Sequence, residues 1–274
     1  ADTPGSLAER GFLRAWGALL SGADVADVAL QETGRALAAT RLAGIDVRTL
    51  RAGGLSAKRA AALMAQTIRE VAVTARLDIA EAVASAARDE QPACQPPAFA
   101  RRLCAQPRAG ATAPGRSRLQ LEPAESHGDH CFVVAIYGVL LAADHGAEPA
   151  SCFLSGLAHH LHNAGLPDAG FAGEQQLGAD LEPVVDAFRE RALAELPPAL
   201  RDPARAAACH ALEIATPEGR AVVAADVLDR VLQMRHHARA AAFEIDQALD
   251  ELELIHPGPL QAYGNATLAA AGLP

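Results

Sequence analysis

Six prolines crowd residues 91–123 (Pro92, Pro96, Pro97, Pro107, Pro114 and Pro123), with Gly110 and Gly115 among them. Proline offers no amide donor and its ring clashes with the preceding helical turn, so no long regular element can run through this stretch. On both sides of it the sequence reads as helix. Alanine, leucine and arginine are abundant and all favour helix. No run shows the alternation of a strand. The expected fold class is all-α, with four parts: a smaller N-terminal helical domain over 1–90, a Pro/Arg-rich linker over 91–123, a second helical domain over 124–255, and an irregular tail over 256–274.

Helix boundaries follow from capping residues. Leu7, Phe12, Leu13, Trp16, Leu19 and Leu20 mark a first helix, and Gly22 breaks it. Asp24 starts a second helix to Leu42, Asp46 a short third ended by Gly53-Gly54, and Ser56 a long fourth reaching toward Ala87. A short helix is expected at 98–105 within the linker. Further on, the pattern predicts helices over 128–145, 149–164, 174–196 with a break near Pro183, and 202–215. Thr216-Pro217-Glu218 opens another that runs to about His237 and extends toward Leu254. Around Val47–Glu70 the resemblance to a helix-turn-helix is weak.

Charge divides the chain unevenly. Residues 1–122 hold 16 basic and 12 acidic side chains (+4), and residues 123–274 hold 8 and 21 (−13), which together give the net −9. The acidic half suits cations and repels nucleic-acid backbones. Within the linker, Arg101, Arg102, Arg108, Arg116 and Arg118 are either solvated or anion contacts. Five cysteines (Cys94, Cys104, Cys131, Cys152, Cys209) with no CxxC spacing argue against a disulfide framework and for a reducing, cytoplasmic setting. Cys94 and Cys104 could pair across a loop. No apolar run reaches the ~18 residues of a membrane span, and no secretory leader is expected.

All ten histidines lie after residue 126. Five of them cluster as His127, His130, His159, His160 and His162. Imidazole is the commonest transition-metal ligand and the usual proton carrier near neutral pH. His127 and His130 are three apart, so one helical face carries both; the same holds for His159 and His162. His160 points ~100° away from His159 if the helix is unbroken. Histidines crowded against apolar segments repel once protonated, and a shared metal removes that problem because ligands bind deprotonated. Asp226, amid Val222, Val223, Val227, Leu228 and Val231, is a buried carboxylate in need of a partner. Asp229 reads as less buried, with Arg230 or Arg191 as its partner. His237 returns to the face of Asp226 eleven residues later.

Three stretches, His130 with CFVVAIYGVLLAADHGAEP, then SGLAHHLHNAGLPD, then GRAVVAADVLDRV, resemble the HD-domain superfamily of metal-dependent phosphohydrolases over roughly residues 120–240. The resemblance implies an all-α bundle around a metal site. By position His130 matches the first ligand, His159 the histidine of the family's His-Asp pair, and Asp226 the last aspartate. His160 stands where the family has the paired aspartate. An imidazole can ligate one ion but bridges two poorly, so three readings are open: a histidine-rich mononuclear site, a weak site, or a binding module without catalysis.

On this basis the expected metal ligands are His130, His159, His160 and Asp226, for a divalent Fe, Mn, Zn or Co ion. His127 and His162 are the candidates for acid–base catalysis or phosphate binding. His210, Asp168, Glu174 and His237 could serve a second metal or the substrate, and each also has an ordinary structural role open to it. Arg189, Arg191 or Arg235 could clamp a phosphate. The expected function is hydrolysis of a small phosphate ester or nucleotide by metal-activated water. Its alternatives are an iron-dependent oxygenase of HD type or a non-catalytic regulatory module, with homodimerisation possible through the N-terminal helices. No GxSxG, Gly-rich phosphate loop or HExxH occurs to support another hydrolase chemistry.

Overall fold

In the computed structural model, residues 5–74, 79–86, 95–211, 213–241, 245–251 and 253–273 are described. Thirteen α-helices run through them, with no strand beyond isolated bridges at Pro107–Ser126 and Ala111–Leu119. The helices are α1 (Leu7–Leu20), α2 (Val25–Leu42), α3 (Val47–Ala52), α4 (Ala57–Thr74), α5 (Ala80–Ala86), α6 (Ala98–Ala105), α7 (His127–His145), α8 (Pro149–Ala158), α9 (Gly170–Leu177), α10 (Leu181–Leu193), α11 (Pro198–His210), α12 (Pro217–Ala241) and α13 (Gln261–Ala270). None of the described helices is long and apolar enough to cross a membrane.

The caps act as the side-chain chemistry demands. Asp24, Asp46 and Ser126 accept amide hydrogens from the first turns of α2, α3 and α7. Ser56 Oγ takes the Arg59 amide and Thr216 Oγ1 the Gly219 amide. At the start of α7, Ser126 and Asp129 form a reciprocal capping box, which satisfies two orphan donors and fixes where the helix begins.

One apolar core crosses the expected linker. Phe12 and Trp16 of α1 and Phe99 and Leu103 of α6 share it with Phe132 of α7, Phe153 and Leu157 of α8, and Leu193 of α10. The Trp16 and Phe99 rings meet edge-to-face at 5.0 Å. The helix α6 within the expected linker is therefore packed structure. Phe99 and Leu103 are fully buried, and that gain in apolar burial overrides the local irregularity the prolines impose. A second cluster gathers α2, α4 and α5 around Leu37, Met64, Ile68 and Val83.

Glycine permits a close approach of two helix backbones. A Cβ on Gly156 of α8 would lie 2.4 Å from Cα of Ala135 on α7, so α7 and α8 touch backbone to backbone. Gly138 faces Cys152 in the same seam. This crossing brings the start of α7 and the end of α8 together.

Three further expectations change. The stretch 149–164 is not one helix: α8 stops at Ala158, and Leu161–Ala164 is a separate 3-10 turn. The break before Pro183 falls at Gly178–Asp180, which leaves Pro183 in the first turn of α10, where its missing amide costs nothing. Residues 256–274 are not an irregular tail, because α13 packs Leu268 against Val223, Val227 and Val231 of α12. Cys94 lies outside the described residues, while Cys104, Cys131, Cys152 and Cys209 are free thiols.

Candidate metal centre

The α7–α8 crossing and the flank of α12 converge on His130. Its Nε2 lies 3.1 Å from His159 Nε2 and 3.1 Å from Asp226 Oδ1. One ring nitrogen each of His130, His159 and His160 falls within 4.8 Å of the others. His130, His159 and His160 come together in this way, and Glu125, His130 and Asp229 form a second such group; Asp226 reaches the cluster through His130. The two stretches 29 residues apart are joined by α8 folding back on α7, and α12 lies alongside.

Each imidazole in this cluster is oriented through its other nitrogen. His130 Nδ1 is 2.7 Å from Asp229 Oδ2, His159 Nδ1 is 2.7 Å from the Gly156 carbonyl, and His160 Nδ1 is 2.9 Å from Asn163 Oδ1. Asn163 Nδ2 donates to the Leu166 carbonyl, which fixes its amide oxygen toward His160. All three partners are acceptors, so each Nδ1 carries a proton; Nε2 of His159 and His160 keeps its lone pair, while His130 Nε2 shares a proton with Asp226 that a cation would replace. A ring N–H tied to a carboxylate or carbonyl is how protein metal sites hold histidine ligands. Two Nε2 lone pairs facing at 3.1 Å repel unless a proton or a cation lies between them. The donor set fits a divalent transition ion.

Asp229 is buried at 6% exposure, whereas Asp226 is 27% exposed. The sequence pattern suggested the reverse, with an arginine partner for Asp229. In the structure Asp229 belongs to His130, and Arg230 Nη1 lies 3.7 Å from Asp226 Oδ2. The arginine nearest His130 comes from the supposed linker. Arg108 Nη1 sits 2.9 Å from His130 Nδ1 and donates to Glu125 at 3.0 Å. With Nδ1 protonated toward Asp229, Arg108 cannot donate to that nitrogen; it balances the charge of Glu125, Asp226 and Asp229.

The electrostatics separate the histidines. Burial and Arg108 oppose protonation of His130, but hydrogen bonds to Asp226 and Asp229 and the charge of Glu125 outweigh them and raise its pKa. Burial would raise Asp226, yet its bond to His130 and the charge of Arg230 hold it well below the usual carboxylate range. Burial, then the neighbouring His130 charge, lowers His159 to about 3. Burial and the surrounding histidines hold His160 well below its ordinary value. Burial and Arg189 lower His162 to about 4. Burial and Arg108 lower His127 to about 2.

His127 and His162 border the cluster. His127 is 1% exposed and neither of its ring nitrogens has a hydrogen bond. Its ring centroid is 5.1 Å from that of His160, and its Nε2 is 3.7 Å from Asp168 Oδ2. Asp168 is held by the amides of Ala109 and Gly170, both at 2.8 Å. His162 is half-buried, 5.6 Å from His160 between ring centroids, with an unpartnered Nδ1.

Of the four residues considered for a second ion or the substrate, Asp168 alone touches this group. Glu174 is exposed on α9. His210 is exposed at the end of α11, beside Gly219 near the start of α12. His237 shares the face of Asp226 but sits three turns along α12, about 16 Å away at 1.5 Å per residue. Shared phase does not bring two side chains to one ion across that distance.

Asp229 could have been found from sequence by the same rule applied to the histidines, since Asp226 and Asp229 are three apart on one helix. Arg108, Glu125 and Asn163 carried no such signal. Compared with protein-family models, with curated proteins and with solved structures, the chain matches none of them.

Proposed function

We propose that this chain is a metal-dependent hydrolase that acts on a small phosphate ester or nucleotide from a helical scaffold of HD-domain type. The observation that carries this reading is the common orientation of the three imidazoles: each Nδ1–H is tied to an oxygen and each Nε2 is left for a cation beside Asp226, which at His130 would replace the shared proton. His130, His159, His160 and Asp226 would hold a divalent Fe, Mn, Zn or Co ion, with Asp229 orienting His130. Such an ion lowers the pKa of a bound water and polarises a phosphoryl oxygen. His162, half-buried with its pKa lowered to about 4, would move a proton or hold the substrate. His127, enclosed beside Asp168, would do so from within. The four free cysteines among the described residues suit a cytoplasmic setting, and the N-terminal helices would carry a homodimer.

The test pairs elemental analysis of the purified protein with a screen of generic phosphoesters under Mn²⁺, Fe²⁺, Co²⁺ and Zn²⁺. Turnover that depends on one of these ions, lost together with the metal in Asp226→Ala, is the expected result. Unchanged metal retention in Asp226→Ala would remove the ligand assignment.

A second reading, an iron-dependent oxygenase, has one feature in its favour: His130, His159 and Asp226 make the two-histidine, one-carboxylate set of non-haem iron sites. Colour and oxygen uptake with Fe²⁺ in the absence of phosphoester turnover would select it. Metal retention with neither activity would select a non-catalytic module.

A further inference from the structure

We infer that Arg230 forms an anion-binding subsite beside the metal-ligand cluster, held in position by the C-terminal segment, and that it takes the substrate's phosphate. The inference rests on the metal reading above and supplies it with a substrate contact.

Asp226 and Arg230 are one turn apart on α12 and share a face. Arg230 Nη1 lies 3.7 Å from Asp226 Oδ2, beyond hydrogen-bond range, so the carboxylate does not saturate it. The other end of the guanidinium is anchored. Nη2 donates to the Leu254 carbonyl at 3.1 Å and to His256 Nε2 at 3.2 Å. His256 Nδ1 lies 2.7 Å from the Glu253 carbonyl, so it carries the proton and leaves Nε2 as the acceptor. Burial and Arg230 lower the His256 pKa to about 4, so the ring stays neutral at pH 7. Its ring stacks on Phe171 of α9, with centroids 4.0 Å apart and planes 10° apart. Two uncharged acceptors thus fix one edge of the guanidinium, while its other edge lies near Asp226 and its charge is only partly offset by Asp226 and Glu174. A preorganised guanidinium suits a phosphate oxygen.

The rival arginines are committed elsewhere or lie away from the ligands. Arg108 pairs with Glu125 behind His130, Arg189 pairs with Asp186, and Arg191 lies over the Phe188 ring at 4.6 Å. Arg235 is exposed one turn beyond Arg230. Arg118, also exposed, lines a cleft of about 360 Å³ with Arg108, Glu125, Asp168 and Gln233, of which Arg230 is not a part.

The test titrates inorganic phosphate into the full chain loaded with Co²⁺, by calorimetry, alongside measurement of bound Co²⁺. The loaded protein should bind phosphate. Arg230→Gln should weaken that binding about tenfold or more, as expected for a lost charge-assisted hydrogen bond, with Co²⁺ content and helix content unchanged. His256→Ala should weaken it less, and His256→Gln, which keeps an acceptor, should recover part of the loss. Arg118→Gln should bind as wild type. Should Arg230→Gln fail to fold, Arg230→Lys decides, with an intermediate loss expected. Undiminished phosphate binding in a folded Arg230 variant, or loss in Arg118→Gln instead, overturns the inference. So does a wild-type protein that holds Co²⁺ but ignores phosphate, and in that case the metal assignment stands. A wild-type protein that retains no metal overturns the metal reading and this inference with it.

Discussion

His127 and His130 sit one turn apart at the start of α7, both almost wholly enclosed, and their surroundings are opposite. His130 lies between two aspartates, with each ring nitrogen directed at a carboxylate. His127 has no hydrogen bond on either nitrogen, and its nearest carboxylate is 3.7 Å away. The aspartates of α12 raise the first pKa, and burial with Arg108 lowers the second to about 2. The pair teaches that burial alone does not make a candidate ligand. What distinguishes His130 is acceptors on one side that set its tautomer and a convergent donor set on the other.

The largest effect expected from this contrast is in metal retention. His130→Ala should leave the purified protein without bound metal, whereas His127→Ala should keep the wild-type content; equal loss in both would erase the distinction. Asp229→Asn keeps the shape but weakens the anchor of His130. Metal affinity should fall about 10–100-fold, the usual cost of losing such a supporting carboxylate, as read by competition with a chelating dye.

Binding a cation must displace the proton shared between His130 and Asp226. Because the His130 pKa is raised, that proton is still present above pH 6.5. Apparent metal affinity should therefore rise about tenfold per pH unit from there up to the folded pKa. A flat profile across that window would mean that His130 is not a ligand.

The smallest effect lies in the stability of the metal-free protein. A raised histidine pKa contributes stability that is present below the unfolded value and lost as pH climbs through the folded one. A lowered pKa does the reverse: the unfolded state takes up protons first, so stability declines as pH falls below about 6.5. His127, His159 and His162 all belong to the second kind. Urea midpoints measured from pH 7.5 down to 5 should fall, and His127→Gln should fall less steeply. An identical slope would show that His127 does not contribute to this acid sensitivity.

The sequence exposed what is local or periodic. Asp24, Asp46, Ser56 and Thr216 announced their helices because a cap is a contact within one turn. His130, His159 and Asp226 were legible because i, i+3 spacing and apolar flanks set their phase. The site roles of Arg108 and Glu125 were not, since they reach the site through irregular segments whose course depends on tertiary packing. The helix α13 was hidden by the prolines and glycines before it, and its reason to exist is the apolar flank of α12. His237 illustrates the converse error: phase was read correctly and axial distance ignored.

The early end of α8 has a consequence for how this site could be lost. Adjacent residues on a continuous helix diverge, yet the ring centroids of His159 and His160 stand 4.2 Å apart because the helix has already ended. The pair is thus a product of termination, and whatever prolongs α8 by a few residues would splay it. A substitution that erased one donor in this way would leave all ten histidines in place, and an inventory of conserved-looking side chains would pass the damaged protein as intact.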